Sequence, residues 1–259
     1  MSRHREIITV SPSHPEVEAL ARQLASEGMP AEAREVYSNR RNFIGAVPVE
    51  GLGGEANIKS FKVPGWFNAR VYGHLRPGKA RRSYDFATRL IELGFDTPEP
   101  LACVEVREGT RLGHSYYVSR QVPGTEMRYA DADPDCDRVC EALGREMARL
   151  HRAGVWMTDF TMGNVLYHPD ATARDGYRFY HVDLNRSRFD VHDRRKLMLM
   201  FRNIVEWPEK TAVIARSYAE AMGLDPDATV AEALGIQADF HRYLRRKRAF
   251  KSRLPWRKK

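Results

Sequence analysis

Residues 149–189 read R-L-H-R-A-G-V-W-M-T-D-F-T-M-G-N-V-L-Y, a short polar insert, and then Y-R-F-Y-H-V-D-L-N-R-S-R-F. The apolar spacing before Gly154 predicts the end of a helix, with the glycine as its stop. A turn then carries Asp159 and, five residues on, Asn164. Val165, Leu166 and Tyr167 predict a short strand, and 179–182 a second one that delivers Asp183 into the following loop.

An Asp, an Asn five residues later, and another Asp at the end of the next strand is the base-and-metal constellation of protein-kinase-like phosphotransferases. The residue types suit that chemistry. Phosphoryl transfer needs an acceptor hydroxyl aimed at the γ-phosphate and cations that neutralise developing charge. Asp159 is the candidate to accept or orient the hydroxyl proton. Asn164 and Asp183 are the candidate hard-oxygen ligands of Mg²⁺. D-x-x-x-x-N alone is a weak pattern; framed by helix, glycine, strand, turn, strand and Asp it is much more specific.

The same residues resemble the lipopolysaccharide kinase (Kdo/WaaP-type) family, small bacterial kinase-like enzymes that phosphorylate lipopolysaccharide core sugars. Its pattern resembles L-H-x-x-G-[VI]-x-x-x-D-x-x-x-x-N-[IV]-L followed by [VI]-D-x-[ND]-R, and this chain has L-H-R-A-G-V-W-M-T-D-F-T-M-G-N-V-L and V-D-L-N-R. Many members, like protein kinases, place His two residues before the catalytic Asp; here that residue is Met157. The resemblance covers roughly residues 35–225 and implies a two-lobed α+β kinase-like fold, a small antiparallel-sheet lobe followed by a mostly helical one. It implies ATP and Mg²⁺ as cofactors and a lipopolysaccharide core or Kdo-lipid A sugar hydroxyl as acceptor.

Composition sets bounds. The chain has 259 residues, enough for one large domain or two lobes. No apolar run approaches the length of a membrane span, and the N-terminus lacks a signal-peptide core. Cys103, Cys136 and Cys140 lack a zinc-type spacing and are read as reduced thiols of a cytoplasmic protein. Net charge is +8, but from His241 onward ten Lys/Arg occur with no acid, and removing those ten leaves −2 for the rest. The basic character therefore belongs to the tail, which argues against a general nucleic-acid binder.

The remaining stretches fall into place around the loop pair. Residues 1–14 are polar and expected to be loosely ordered. Residues 15–28 predict a helix. Residues 35–62 predict three strands with turns near Asn39–Asn42 and at Gly51–Gly54; the G-L-G-G cluster reads as a hairpin turn, not a phosphate loop. Without a glycine-rich loop, Arg40 and Arg41 are expected over the nucleotide. Lys59, mid-strand in A-N-I-K-S-F-K, is the candidate nucleotide lysine, with Lys62 competing on proximity. The resemblance also places a basic, aromatic helix after Pro64.

Residues 79–94 predict a helix with Tyr84, Ala87, Leu90 and Ile91 on one face. Kinase-like folds place on this helix an acid that pairs with the lysine. The resemblance aligns Asp85 of R-S-Y-D-F-A with that Glu; Glu92 is the alternative. The basic run 76–82 is a solvated face or a contact for an anionic glycolipid. A strand at 115–121 leads into V-P-G, where adenine is expected on main-chain groups from Arg120 to Val122. Helices are expected at 133–154, 190–200 and 208–223. His151 reads as a core or loop-anchoring histidine, and Arg186 as a phosphate or acceptor contact. The expected domains are 1–34, an extension with one helix; 35–122, the small lobe; 123–238, the large lobe; and 239–259, a basic tail that docks on the inner face of the cytoplasmic membrane, touches nucleic acid, or is simply solvated. The alternatives to a glycolipid kinase are a small-molecule or protein kinase of this fold, or a nucleotide-binding pseudokinase. Met157, Asp85 and the absent glycine loop favour the last; Lys59, Asp159, Asn164 and Asp183 oppose it.

Overall fold

The alternation in G-E-A-N-I-K-S-F gives strand β4 (Gly54–Phe61) two different faces: Ala56 and Ile58 are buried on one, while Asn57, Lys59 and Phe61 point to the other. The computed structural model describes residues 4–38, 42–65, 76–204 and 208–252. The chain divides into two units, Met1–Pro123 and Gly124–Lys259.

In the first unit β4 joins β1 (His4–Val10), β2 (Arg34–Ser38), β3 (Asn42–Val49), β5 (Pro100–Glu108) and β6 (Arg111–Arg120) in an antiparallel sheet of order β1-β5-β6-β4-β3-β2. Helix α1 (Glu18–Ser26) covers one face, where Val17, Leu20 and Leu24 pack with Ile58, Val104 and Val118. Helix α2 (Lys79–Glu92) covers the other, where Ala80 and Tyr84 meet Phe61, Cys103 and Tyr117. Gly51 and Gly53, both at positive φ, turn β3 into β4 with Val49 opposite Gly54.

Two expectations for this unit need correction. Residues 4–10 are a strand, not a loose end, with His4 to Val10 paired against Glu108 to Ala102 of β5. The β-branched run I-I-T-V needs that distant partner, and polar neighbours mask it locally. On α2, Ala87 and Leu90 are buried but Ile91 is 42% exposed, because the sheet takes a narrower stripe than the sequence offers. Arg40 and Arg41, and the basic aromatic helix expected after Pro64 in residues 66–75, lie outside the described residues.

The second unit is mostly helical. Strands β7 (Thr125–Glu126), β8 (Val165–Pro169) and β9 (Tyr177–His181) form a small sheet. Helices α3 (Cys136–Arg152), α5 (Pro208–Met222) and α6 (Pro226–Ser252) pack in sequence, α3 on α5 and α5 on α6. The helix expected at 190–200 starts late, as α4 (Arg194–Met198). Asp190 takes a left-handed φ of 58°, and the Asp193 carboxylate accepts the Arg195 amide at 3.0 Å as the true cap. The basic run is no separate tail as far as Ser252; it is the second half of α6, and residues 253–259 lie outside the described residues. No described helix is long and apolar enough to cross a membrane. The three cysteines are buried and unbridged, and burial, reinforced by Cys136, pushes the Cys140 thiol up to about 12.

Helix α3 sets the floor of the second unit, and one glycine sets its distance from α5. A Cβ on Gly144 would lie 2.4 Å from the Ile214 carbonyl oxygen and 3.0 Å from the Tyr218 nitrogen. Backbone cannot yield there as a side chain can. Gly144→Ala is therefore expected to destabilise the unit by about 1–3 kcal/mol despite alanine's better helix propensity. A lowered urea midpoint checks this; an unchanged or raised one contradicts the close approach.

Candidate active site

Helix α3 stops at Gly154, whose φ of 69° suits a residue without a Cβ. The chain then forms a loop that is stitched to the segment after β9. Trp156 and Arg188 exchange two main-chain hydrogen bonds of 2.8 Å. Thr158 Oγ1 donates to the Arg186 carbonyl at 3.0 Å, and Arg202 Nη2 donates to the Thr158 carbonyl at 3.0 Å. Within the loop Asn164 Nδ2 donates to the Asp159 carbonyl at 2.9 Å, and the Val182 amide donates to the Asn164 carbonyl at 2.9 Å. The five-residue spacing thus closes a ring, and the next strand is tied to it.

This stitching brings Asp159, Asn164 and Asp183 to one cleft, together with Met157, Phe160 and Arg186. Asp159 is 40% exposed, and one carboxylate oxygen lies 3.3 Å from Arg186 Nη1. Asp183 adopts a left-handed conformation, φ 57° and ψ 45°, which a short polar side chain tolerates at a modest cost. Its Oδ1 accepts from Asn185 Nδ2 at 2.6 Å. Met157, where the resemblance has His, is buried to 6% exposure and fills the cleft floor with a thioether.

The donor set fits a hard cation. Asn164 commits its amide nitrogen to the Asp159 carbonyl, which leaves Oδ1 as its free-facing oxygen. Asp183 contributes a carboxylate to the same cleft. A carboxylate and a carboxamide oxygen with room for water match Mg²⁺ and not a soft metal. Among the described residues no group of three or more His, Cys, Asp or Glu could hold a metal.

His151 is placed as expected, in the interior. Its Nδ1 lies 2.9 Å from the Tyr218 hydroxyl and its Nε2 3.1 Å from Met200 Sδ. Burial holds its pKa down at about 4, against an ordinary value of 6.5. The unfolded chain therefore binds a proton here before the folded one does. Stability is full above pH 6.5 and falls as pH drops towards 4, by up to about 3 kcal/mol. His151→Gln is expected to flatten that slope in urea midpoints taken between those pH values, and an equally steep slope in the variant contradicts it.

One buried polar group escaped the sequence reading. His181, on β9 two residues before Asp183, lies 3.1 Å from Glu146 of α3, and Glu146 pairs with Arg149 at 2.8 Å. The group ties the strand that delivers Asp183 to the helix that delivers Asp159. Glu146 and Arg149 are neighbours on α3, but His181 is 35 residues away in sequence and no motif links it to them. The Asn185–Asp183 bond was legible in principle, because Asp and Asn two residues apart in a turn commonly bond.

The first unit carries the other candidates. Lys59 is half-buried on the sheet face that α2 covers, opposite Ile44 and Tyr117, with Nζ 5.5 Å from the centroid of the Phe61 ring. Asp85 lies on α2, and its carboxylate is held by Arg81 at 2.8 Å; Arg81 also reaches Thr9 of β1 at 3.3 Å. Around Arg120 the main chain is partly committed: the Arg120 amide donates to the Glu99 carbonyl and the Gln121 amide to the Glu55 carbonyl, each at 2.9 Å. The Arg120 guanidinium binds Glu99 at 2.9 Å and the Leu52 carbonyl at 2.8 Å. His14 bridges Glu99 and Glu16 at 2.7 and 2.9 Å, and those bonds, to Glu16 first, raise its pKa. The Val122 carbonyl accepts from Gln121 Nε2 at 3.3 Å.

The model of the lipopolysaccharide kinase (Kdo/WaaP) family matches residues 71–203. That span includes Asp85, Arg120, Val122, Asp159, Asn164 and Asp183 and begins after Lys59. A search of curated proteins finds no match. Among solved structures the chain is similar to WaaP in complex with acyl carrier protein, with a TM-score of 0.59 and 18% identity, covering 93% of this chain and 98% of that one. It is also similar to the Rio2 kinase–ADP/Mg²⁺–phosphoaspartate complex from Chaetomium thermophilum, with a TM-score of 0.50 and 18% identity, covering 85% of this chain and 75% of that one. At that identity the likeness establishes the fold: α+β and protein-kinase-like.

Proposed function

This chain belongs to the lipopolysaccharide kinase (Kdo/WaaP) family and is a kinase, and on that premise we propose that it transfers the γ-phosphoryl group of ATP to a sugar hydroxyl of a lipopolysaccharide core or Kdo-lipid A acceptor. The observation that carries this reading is the convergence of Asp159, Asn164 and Asp183 on one cleft of the second unit. When bound, Mg²⁺ supplies charge neutralisation at the phosphates.

The residues divide the task. Asp159 takes the proton of the acceptor hydroxyl as its oxygen bonds to the γ-phosphorus and ADP departs. Asn164, through Oδ1, and Asp183, through its carboxylate, would hold the cation. Arg186, beside Asp159 and 63% exposed, orients that carboxylate and meets negative charge on the acceptor. In the first unit Lys59 contacts the α/β-phosphates and Asp85 orients Lys59 from α2. Adenine bonds to the chain between Arg120 and Val122. Two amides there already have partners within the unit, so the Val122 amide is the donor this reading assigns to the base. In this proposal residues 35–122 are the small and 123–238 the large kinase-like lobe.

The test is ADP formation by purified protein with Mg²⁺–ATP, with and without detergent-solubilised lipopolysaccharide. Acceptor-dependent ADP formation that stops on chelation of Mg²⁺ is the expected result. ADP formation that ignores the glycolipid but responds to a small sugar or a protein moves the acceptor elsewhere.

A further inference from the structure

The last three buried residues of α6 are Thr229, Ala233 and Gln237, one turn apart on the face that packs on α5. Beyond Gln237 no described residue of the helix is buried. Phe240 is the final anchor: its ring lies 5.6 Å from the Arg202 guanidinium and 6.3 Å from the Tyr243 ring. From there the helix continues to Ser252 with every side chain exposed except those of His241 and Leu244, which are half-buried.

That solvated half has a definite chemistry. Residues 242–252 hold six cations: Arg242, Arg245, Arg246, Lys247, Arg248 and Lys251. The one nearby acid, Asp239, is bonded to Arg242. At about 100° per residue, Phe240, Tyr243, Leu244 and Phe250 fall within an arc of roughly 120°. Arg242, Arg245, Arg246 and Arg248 lie on the opposite side. Tyr243 is 54% and Phe250 66% exposed. Lys247 and Lys251 lie within the aromatic arc; Lys247 Nζ is 5.4 Å from the Tyr243 ring centroid, an arrangement in which the stem lies on the ring and the charge stays wet.

We propose that α6 beyond Gln237 is a docking helix for the anionic headgroup surface of a lipid bilayer. Six like charges oppose self-pairing of this helix and call for an anionic partner. The aromatic stripe selects among anionic partners. The phosphates of a nucleic-acid duplex would meet the arginines and leave both rings solvated, whereas a headgroup layer accepts the cations at its surface and the rings at its polar–apolar boundary. The choice of a bilayer also rests on the glycolipid acceptor of the proposed reaction, since docking on the bilayer that holds the acceptor concentrates the enzyme on its substrate.

The test uses the full chain and sucrose-loaded vesicles of phosphatidylcholine, with or without phosphatidylglycerol, and needs neither nucleotide nor acceptor. Sedimentation is expected only with phosphatidylglycerol and is expected to fall steeply with salt. The triple variant Arg245→Gln, Arg246→Gln, Arg248→Gln is expected to partition about 100-fold more weakly at an unchanged melting temperature. Phe250→Trp is expected to show blue-shifted emission on the anionic vesicles. Equal partitioning onto both vesicle types, or an unaffected triple variant, overturns the inference. So does a Phe250→Trp emission that shifts with duplex RNA or with an acidic protein and not with vesicles. Because no turnover is read, a kinase reading that fails leaves this result to stand or fall by itself.

Discussion

Asp159→Ala is expected to lower the rate of phosphate transfer by about 10³-fold while nucleotide affinity stays within a few-fold of the parent, the size typical of losing a positioned general base. The geometry makes this a clean substitution. The loop is closed by Asn164 through the main-chain carbonyl of Asp159, not through its carboxylate, so alanine keeps that bond. Arg186 loses its partner, but at 63% exposure it is solvated and its loss costs little. A fall in kcat without a shift in the urea midpoint or in nucleotide Kd therefore reports chemistry. Full activity in the variant would sink the assignment of the base.

Asp183→Ala is expected to act earlier, on binding. Affinity for Mg²⁺–ATP should drop by about 100-fold, while affinity for ATP in the presence of chelator stays unchanged. The contrast between the two conditions separates a metal ligand from a structural residue. Some loss of stability is also expected, since alanine is poorly suited to the left-handed conformation at φ 57° and cannot accept the Asn185 amide. The comparison with and without chelator removes that contribution, because both measurements use the same folded variant. Equal loss in the two conditions contradicts the metal role of Asp183.

How much of this was legible in sequence depends on distance along the chain. The turn that carries Asp159 and Asn164, the two strands that follow Asn164, the hairpin at Gly51–Gly54 and the buried His151 all follow from spacings of a few residues, and the structure has each of them; the bond that closes that turn through Asn164 comes from the structure. What could not be read depends on remote partners. The strand at His4–Val10 exists because β5 offers its edge about a hundred residues later. The His181–Glu146–Arg149 group joins a strand to a helix through residues that resemble ordinary surface polar residues in sequence. The link from Arg120 through Glu99 to His14 is of the same kind. The helix expected at 190–200 begins later because its cap, Asp193, lies inside that span. Ile91 fits the periodicity of α2 perfectly well and is still exposed, because periodicity marks a face and not the width of what covers it.

The same distinction applies to the candidate site. Asp159, Asn164 and Asp183 are reached by local geometry, and the structure places them on one cleft. The pairing of Asp85 with Arg81 is an i,i+4 contact on an exposed helix face, equally local, and it engages the carboxylate that the resemblance assigns to Lys59. Arg81→Gln therefore belongs beside Asp85→Asn in any series that probes how Lys59 is oriented.

The measurement that bears most directly on the central claim is the mass of the acceptor itself. Lipopolysaccharide from a strain lacking this gene is incubated with Mg²⁺–ATP and the parent protein or Asp159→Ala, and the glycolipid is weighed by mass spectrometry. The account predicts a gain of one phosphate on a core sugar with the parent protein and none with Asp159→Ala. A glycolipid of unchanged mass in the presence of a protein that binds Mg²⁺–ATP, or the same gain with both proteins, contradicts it.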